Sequence, residues 1–162
     1  MQIRLAYESD IPQIGVLLQQ TLEVHYQGRP DLFKANTRKY NDEQLLEIVS
    51  DSNRPLFVAE ENGVVLGYVL CVFQKYANHA ILTAVKTMRI DDLCVDKRFR
   101  RRGIGKALYN FVLEFAKTLG CYNVCLNAWA CNREALRFYE SCGLRPQKIE
   151  LEKIMKEEDK NE

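Results

Sequence analysis

The stretch "RIDDLCVDKRFRRRGIGKAL", residues 89–108, joins the end of an apolar run to five cations in six positions and then to two glycines. The run at its start predicts a β-strand, and the apolar residues after the glycines recur at helical spacing as far as Gly120. A further strand is predicted at "YNVCLNAW", residues 122–129. Residues 87–129 therefore predict a β-α-β unit with two parallel strands.

The N-terminal part of the chain predicts one strand, two helices and a hairpin. "QIRLA" begins the series as a strand, and Ser9 is expected to cap a helix whose apolar stripe runs as far as Leu22. An irregular connection over residues 23–40 should follow, before a second helix with Asn41 as cap and Gln44 in the reciprocal capping position. Asn62-Gly63 then predicts a tight turn between two antiparallel strands, because both residues tolerate positive φ.

The C-terminal part adds a helix and a strand. "NREALRFYESCG" predicts a helix that ends at Gly143, and "KIELEKIM", residues 148–155, predicts a last edge strand before a solvated charged tail at 156–162. The order of elements is β-α-α-β-β-β-α-β-α-β, without a linker or repeat. We expect one α/β domain over residues 1–162, with a mixed, mostly antiparallel sheet and helices on both faces.

Composition excludes several classes of protein. The 23 basic residues nearly balance the 22 acidic ones, so the chain lacks the positive excess of a dedicated nucleic-acid binder. The sequence contains no signal-like start and no long apolar segment, which predicts a cytoplasmic protein without a membrane contact. Its six cysteines form no C-x-x-C pair, which favours reduced structural thiols and no metal site.

The glycine segment after the basic run predicts an anion site. The first backbone N–H groups of a helix lack intrahelical partners, and glycines let the main chain approach a bulky anion closely. The Walker A motif is excluded because Gly105-Lys106 is followed by Ala107. The dinucleotide fingerprint is excluded because Leu108 stands where it requires a third glycine.

Two blocks of sequence together resemble the GNAT superfamily of acetyl-CoA-dependent N-acetyltransferases. One is Arg100-x-x-Gly103-x-Gly105, between a strand and an amphipathic helix. The other is "LNAWACNREALRFYESCGL", residues 126–144. The resemblance extends over nearly the whole chain and implies an acetyl-CoA core at about residues 87–145, with acetyl-CoA as co-substrate.

The resemblance also assigns candidate residues to the cofactor site. Leu93 and Val95 would offer backbone groups to the pantetheine arm and the acetyl carbonyl. The loop from Arg101 to Lys106 would hold the pyrophosphate through main-chain N–H groups. Asn132 would contact the cofactor, although it is also a good helix N-cap by residue type. The full set of cofactor candidates comprises Leu93, Cys94, Val95, Arg100, Arg101, Arg102, Gly103, Ile104, Gly105, Lys106 and Asn132.

Three residues are candidates for catalysis. Tyr139 matches the tyrosine that protonates the leaving thiolate in many relatives; the alternative is a core tyrosine on an apolar helix face. Asp91 and Asp92 are candidate bases for the attacking amine, or else structural carboxylates. Strand alternation predicts that these two aspartates point to opposite faces of the sheet.

The sequence indicates the acceptor side less clearly. His25, Tyr26 and Trp129 are candidate substrate contacts, and Tyr68 and Phe73 of the hairpin are expected to face the same cleft. The acceptor class is an amine on a small molecule or a protein. Two other functions remain open: a catalytically silent acyl-CoA-binding regulatory domain, and a nucleic-acid binder that uses Lys97–Arg102. An edge position for the last strand would allow a homodimer.

Overall fold

The computed structural model describes residues 1–155, so the predicted charged tail lies outside the described residues. Its elements follow the chain as β1 (Gln2–Leu5), α1 (Ile11–Gly28), α2 (Asp42–Val49), β2 (Leu56–Glu61), β3 (Val64–Lys75), β4 (Lys86–Val95), α3 (Ile104–Thr118), β5 (Asn123–Leu126) and α4 (Arg133–Ser141). Short 3₁₀ turns at Glu8–Asp10 and Lys97–Phe99 precede α1 and α3.

The described strands form one mixed sheet in the order β1-β2-β3-β4-β5. All neighbouring pairs are antiparallel except β4 and β5, which are parallel and joined through α3. The sheet therefore confirms the predicted fold class and the β-α-β unit. The predicted turn is also present, since Asn62 and Gly63 between β2 and β3 have φ values of 52° and 80°.

Two apolar clusters hold helices to opposite faces of the sheet. The first contains buried residues of α1 and α2, such as Ile14 and Leu45, packed against Tyr68 of β3. The second contains Leu108 and Val112 of α3 packed against the other side of the central strands. Burial of its apolar stripe holds α3 against the sheet, and this also positions the glycine loop that precedes α3.

The ends of α1 and α2 test the predicted helix caps. Asn41 caps α2 as predicted: its side chain accepts from the Gln44 N–H at 2.9 Å, and Gln44 accepts from the Asn41 N–H at 2.9 Å. The prediction that Ser9 caps α1 is wrong, because a 3₁₀ turn comes first and Asp10 takes the N-cap position. The predicted irregular connection is also too long, since α1 continues to Gly28 in the absence of an earlier breaker.

The predicted last strand is absent from the described residues. Residues 148–155 form no strand, and Ile149, Leu151 and Met155 are all about four-fifths exposed. Glu152 forms an ion pair with Arg29 at the end of α1, which ties this segment to the helix rather than to a sheet edge. The edge strand on which the homodimer prediction rested is therefore not formed here.

Truncation of the α3 stripe should destabilise the fold much more than truncation of an exposed leucine. Leu108 is fully buried, so Leu108→Ala should lower the free energy of unfolding by about 2–5 kcal/mol. Leu46 of α2 is 42% exposed, so Leu46→Ala should cost less than about 1 kcal/mol. Urea unfolding of both variants measures the difference. Equal losses would contradict the assignment of α3 to the core.

Candidate active site

The parallel pair of strands ends before β4 does. β4 pairs with β5 from Thr87, opposite Asn123, to Ile90, opposite Leu126. β5 then stops, whereas β4 continues to Val95 and stays paired with β3 on its other side. The two parallel strands therefore separate after Ile90, and among the described strands none pairs with residues 91–95 on the β5 side. Backbone groups on such an edge are available to a linear ligand that carries amides.

The candidate residues of β4 lie along this opening. Leu93 and Val95 are partly buried and pack against the α3 cluster. Cys94 points the other way, with its Sγ 3.5 Å from the carbonyl oxygen of Leu17 in α1. Burial raises the pKa of the Cys94 thiol to about 11, so this thiol is not nucleophilic at neutral pH. Only the backbone of Cys94 can contribute to the opening.

The glycine loop has the backbone geometry of an anion cradle. Arg101 and Gly103 both have left-handed φ values, 63° and 76°. Left-handed residues alternating with ordinary ones turn successive N–H groups toward one point, which is the arrangement called a nest. Gly103 is the N-cap of α3, and no side chain accepts a hydrogen bond from the first turn there. Within residues 1–155, the first-turn N–H groups therefore have no capping side chain that would compete with an anion.

Gly105, in the first turn of α3, packs close to side chains of β4 and α4. A Cβ at this position would lie 3.4 Å from Phe138 Cζ and 3.5 Å from Val95 Cγ2, which is ordinary contact. A larger branched side chain would extend beyond this contact distance toward Val95 of β4 and Phe138 of α4. The absence of a side chain at Gly105 is thus part of the shape of the site.

The basic run before the loop is partly engaged by the protein itself. Arg98 forms an ion pair at 2.7 Å with the buried carboxylate of Asp96, and Arg100 Nε donates to the carbonyl of Val95 at 3.2 Å. A cavity of about 750 Å³ lies between this run, α1 and the connection after α1. Its cationic lining residues are Lys34, Lys97, Arg98 and Arg100, and Tyr26 lines it from α1.

A β-bulge in β4 places the two aspartates. Leu70 of β3 pairs with Asp92, whereas the next residue, Cys71, pairs with Ile90, so Asp91 is the extra residue of the bulge. The bulge breaks the alternation of side chains at this point. The prediction that the two aspartates face opposite sides is therefore wrong: their partners, Tyr40 and Tyr68, both pack in the α1–α2 cluster.

Each carboxylate has its own hydrogen-bond partners. Asp91 Oδ2 accepts from Lys39 Nζ at 2.9 Å and from the Tyr40 hydroxyl at 2.8 Å. Asp92 Oδ2 accepts from the Tyr68 hydroxyl at 2.7 Å. Lys39 and Tyr40 come from the connection between α1 and α2, so this connection closes over the bulge.

These contacts shift the pKa values of the two aspartates in opposite directions. Burial raises the pKa of Asp91, but the hydrogen bonds from Lys39 and Tyr40 outweigh it, so the net pKa is lowered. Burial is also the largest influence on Asp92, and with the nearby charge of Asp91 it leaves the pKa raised despite the Tyr68 hydrogen bond. Asp92 is therefore the better proton acceptor of the pair near neutral pH.

Helix α4 brings Tyr139 toward the same carboxylate. Burial, followed by the charge of Asp92, raises the pKa of the Tyr139 phenol, which keeps its proton at neutral pH. Cys94 also contributes to this rise, so the hydroxyl lies within electrostatic range of β4. Asn132 is the N-cap of α4, and its side chain accepts from the Ala135 N–H at 3.1 Å. The predicted capping role of Asn132 is confirmed.

Three rings connect the candidate acceptor residues. The His25 ring lies 5.1 Å from the Phe33 ring, and the Phe33 ring lies 5.0 Å from the Trp129 ring, measured between centroids. His25 and Trp129 therefore belong to one aromatic cluster, with Phe33 between them. Burial and the charge of Lys39 lower the pKa of His25, which favours the neutral imidazole. Phe73 lies on the other face, against Phe115, and does not join this side.

The sequence analysis missed Lys39 and Tyr40. They lie in a segment whose mixture of aromatic and cationic residues was visible in the sequence, just before the Asn41 cap. Their partner, Asp91, is 51 positions or more away along the chain. Local pattern carries no signal for such a long-range contact.

Within residues 1–155, no helix combines the length and apolarity required to span a bilayer. The same residues contain no cluster of three or more side chains suited to holding a metal ion.

Comparisons with known proteins agree with the geometry. The profile of the Acetyltransferase (GNAT) family matches residues 20–144. The chain is 38% identical over 68 residues to the glucosamine 6-phosphate N-acetyltransferase of Arabidopsis thaliana, a match that covers 42% of this chain and 44% of that enzyme. The chain thus spans less than half the length of that curated relative.

Two solved structures match over nearly the whole chain. The tetramutant of the BH1408 protein from Bacillus halodurans has 28% identity and a TM-score of 0.91, with 96% of this chain and 100% of that chain covered. The crystal structure of the Arabidopsis thaliana glucosamine-6-phosphate N-acetyltransferase has 26% identity and a TM-score of 0.69, with 96% and 98% covered. From its family profile and its fold, the chain belongs to the GNAT family of acetyltransferases.

Proposed function

We propose that this protein is an N-acetyltransferase that moves the acetyl group of acetyl-CoA to a primary amine by direct attack in a ternary complex. The separation of β4 from β5 after Ile90 carries the proposal, because it leaves a backbone edge open on the strand that leads, through the basic run and the glycine loop, into α3. When bound, acetyl-CoA supplies a thioester whose carbonyl carbon is open to attack by an amine. The chain supplies binding, orientation and proton handling.

The residues present fit a ligand with a linear amide arm and a pyrophosphate. The edge of β4 at Leu93–Val95 would pair with the arm. The left-handed Arg101 and Gly103, with the first-turn N–H groups of α3, would hold the pyrophosphate oxygens. The cationic side chains of Arg100, Arg102 and Lys106 would add a favourable field for phosphate. Asn132 lies at the start of α4, and we place it at the edge of the same site.

The two aspartates divide the handling of the acceptor. A primary amine is mostly protonated at neutral pH, since a lysine-like group has a pKa near 10.4. Asp91, with its lowered pKa, stays ionised and attracts the ammonium group. Asp92, with its raised pKa, is the better group to accept the proton that must leave before attack, directly or through water. Tyr68 orients Asp92 through its 2.7 Å hydrogen bond.

Tyr139 is the donor on the leaving-group side. Its hydroxyl stays protonated at neutral pH and can donate a hydrogen bond to the sulfur as negative charge develops there. A raised phenol pKa makes complete transfer of its proton to a thiolate less favourable than it would be from a free tyrosine. Stabilisation through this hydrogen bond is therefore the main contribution that we assign to Tyr139.

The acceptor enters from the side of α1. His25 and Trp129 form the aromatic cluster with Phe33, and Tyr26 lines the cavity beside the basic run. Aromatic faces and two carboxylates suit a cationic amine better than an anion. The acceptor is a primary amine of a small molecule or of a protein.

Substitutions in the glycine loop should remove cofactor binding. Gly105→Val places methyl groups beyond the Cβ that already contacts Phe138 and Val95, so the dissociation constant for acetyl-CoA should rise by about tenfold or more, about 1.4 kcal/mol. Gly103→Ala should weaken binding by straining a residue at φ +76°. Isothermal titration calorimetry with acetyl-CoA measures both effects, and a short duplex DNA serves as a negative ligand.

Gly120→Ala is the matched control for Gly103→Ala. Gly120 also has positive φ, +67°, with open space around it, but it lies at the far end of α3, roughly 22 Å along the helix. The control should lose similar stability and bind acetyl-CoA normally. Normal binding by Gly105→Val would overturn the assignment of the loop, and salt-sensitive DNA binding in place of coenzyme binding would overturn the function.

Removal of the Tyr139 hydroxyl should affect turnover and leave binding intact. Tyr139→Phe keeps the ring and its packing beside Phe138, and therefore the dissociation constant for acetyl-CoA should stay within about twofold. The turnover number should fall by about 100-fold or more, as expected for a proton or hydrogen-bond donor to the leaving group. Thiol release under saturating acceptor measures it. An unchanged turnover number would show that Tyr139 is a core residue only.

The two aspartates should titrate on opposite sides of the ordinary value of 3.8. Carboxyl-carbon NMR of the free protein should show Asp91 losing its proton below that value and Asp92 above it. Because the charge of Asp91 helps to raise the pKa of Asp92, Asp91→Asn should lower the Asp92 midpoint. Between pH 3.8 and the Asp92 midpoint, the unfolded chain has lost this proton and the folded protein still holds it. The contribution of Asp92 to the free energy of unfolding should therefore fall as pH rises through this range. Identical midpoints would contradict the division of roles.

A further inference from the structure

The chain carries a primary amine of its own at the bulge. Lys39 Nζ lies 2.9 Å from Asp91 Oδ2 and 3.4 Å from the Asp91 carbonyl oxygen. It also lies 5.4 Å from the centre of the Tyr40 ring. The carboxylate is the one that we assigned above to the ammonium group of an acceptor, and here it already holds an amine together with a carbonyl and an aromatic ring.

This amine contacts Asp91, which lies two residues before Leu93, where the proposed function puts the start of the cofactor edge. Asp91 and Leu93 are two residues apart on β4, so about 7 Å of strand separates Asp91 from the start of the open edge at Leu93–Val95. The Lys39 side chain is 45% exposed on a flexible four-carbon stem, so it can move without unfolding its surroundings. An amine tethered this near to its reaction partner has a high effective concentration.

We propose that Lys39 is a site of self-acetylation, at which the enzyme transfers an acetyl group from acetyl-CoA to its own Nζ. The inference rests on the proposed function and extends it to an acceptor within the chain. Lys39 first loses one proton to solvent, and the neutral amine then attacks the carbonyl carbon. A carbon–nitrogen bond forms, the carbon–sulfur bond breaks, and the electron pair leaves with sulfur. The second amine proton ends on that sulfur, so the products are acetyl-lysine and the coenzyme thiol.

The charges around Lys39 determine how the reaction depends on pH. Burial lowers the pKa of Lys39, but the hydrogen bond and charge of Asp91 outweigh it, with a smaller contribution from Asp92, and the net pKa is raised. Tyr40 also favours the ammonium form, and His25 lies within range of its charge. Only a small fraction of Lys39 is neutral at pH 7. Self-acetylation should therefore be slow at neutral pH and should accelerate as pH rises.

Acetylation would change the site around Lys39. The ammonium charge disappears, so Asp91 loses its ion pair and His25 loses a positive neighbour that depresses its pKa. The pKa of His25 should consequently rise toward its ordinary value. The modified protein would present a different charge to an incoming amine.

The primary experiment incubates the purified full-length protein with acetyl-CoA in the absence of any added acceptor. Intact mass and peptide mapping should show one acetyl group, located on Lys39, at a rate that rises with pH and does not depend on protein concentration. Lys39→Arg keeps the positive charge beside Asp91 and should abolish the label. Gly105→Val should reduce labelling to the uncatalysed background, which separates the reaction from chemical acetylation.

Lys117→Arg is the matched control for Lys39→Arg. Lys117 also forms an ion pair with a carboxylate, Glu114 at 2.6 Å, but on the exposed surface of α3. This variant should label Lys39 at the wild-type rate. A label on Lys117 or on several lysines, or a rate proportional to protein concentration, would overturn the inference.

A measurement without any coenzyme tests the geometry itself. In NMR of the free protein, the Nζ of Lys39 should titrate above an ordinary lysine, and Asp91→Asn should lower that midpoint. An unaltered midpoint in Asp91→Asn would overturn the placement of Lys39.

The outcomes separate this inference from the proposed function. Acetyl-CoA binding and turnover of an added amine without any label on Lys39 would overturn only the self-acetylation. Absence of acetyl-CoA binding would overturn both.

Discussion

The early end of β5 is the constraint on which the site depends. A parallel pair that continued to Val95 would satisfy the backbone of β4 on both sides and leave no edge for a ligand. Because pairing stops at Leu126, β4 stays paired with β3 on one side, apart from the bulge at Asp91, and is open on the other side after Ile90. The rigid core thus holds the open edge in place, and the edge requires no mobile element to form it.

The bulge at Asp91 places two carboxylates side by side next to this edge. In a regular strand, adjacent carboxylates would be separated by the sheet, and only one of them could face α1. The extra residue brings both to the same side, where their mutual repulsion must be balanced. Lys39 and Tyr40 stabilise the charge of Asp91, whereas Asp92 has the hydroxyl of Tyr68 and a raised pKa. The candidate site therefore contains one carboxylate whose pKa is lowered beside a second whose pKa is raised.

Sequence pattern predicted the parts of this structure that local chemistry determines. The Asn62-Gly63 turn, the Asn41 cap and the glycine loop each depend on a few neighbouring residues, and the structure has all three. The errors have non-local causes. The bulge at Asp91 depends on the register with β3, which the alternation of side chains within β4 does not reveal. The apolar pattern of residues 148–155 likewise does not show whether a neighbouring strand is available for pairing.

The hydrogen-bond contacts of Asp91 and Asp92 differ in exposure, and in the proposed reaction this difference would decide which of them meets the acceptor. The Lys39–Asp91 pair is partly exposed, with 45% and 26% of the two side chains accessible, and such pairs contribute only about 0–1 kcal/mol. An incoming ammonium group can replace Lys39 at little cost, since it restores the same charge contact. The Tyr68–Asp92 bond offers no such exchange, because Tyr68 is buried in the α1–α2 cluster. In the function proposed above, selection for a cationic acceptor would therefore fall to Asp91, while Asp92 would stay in position to accept the proton.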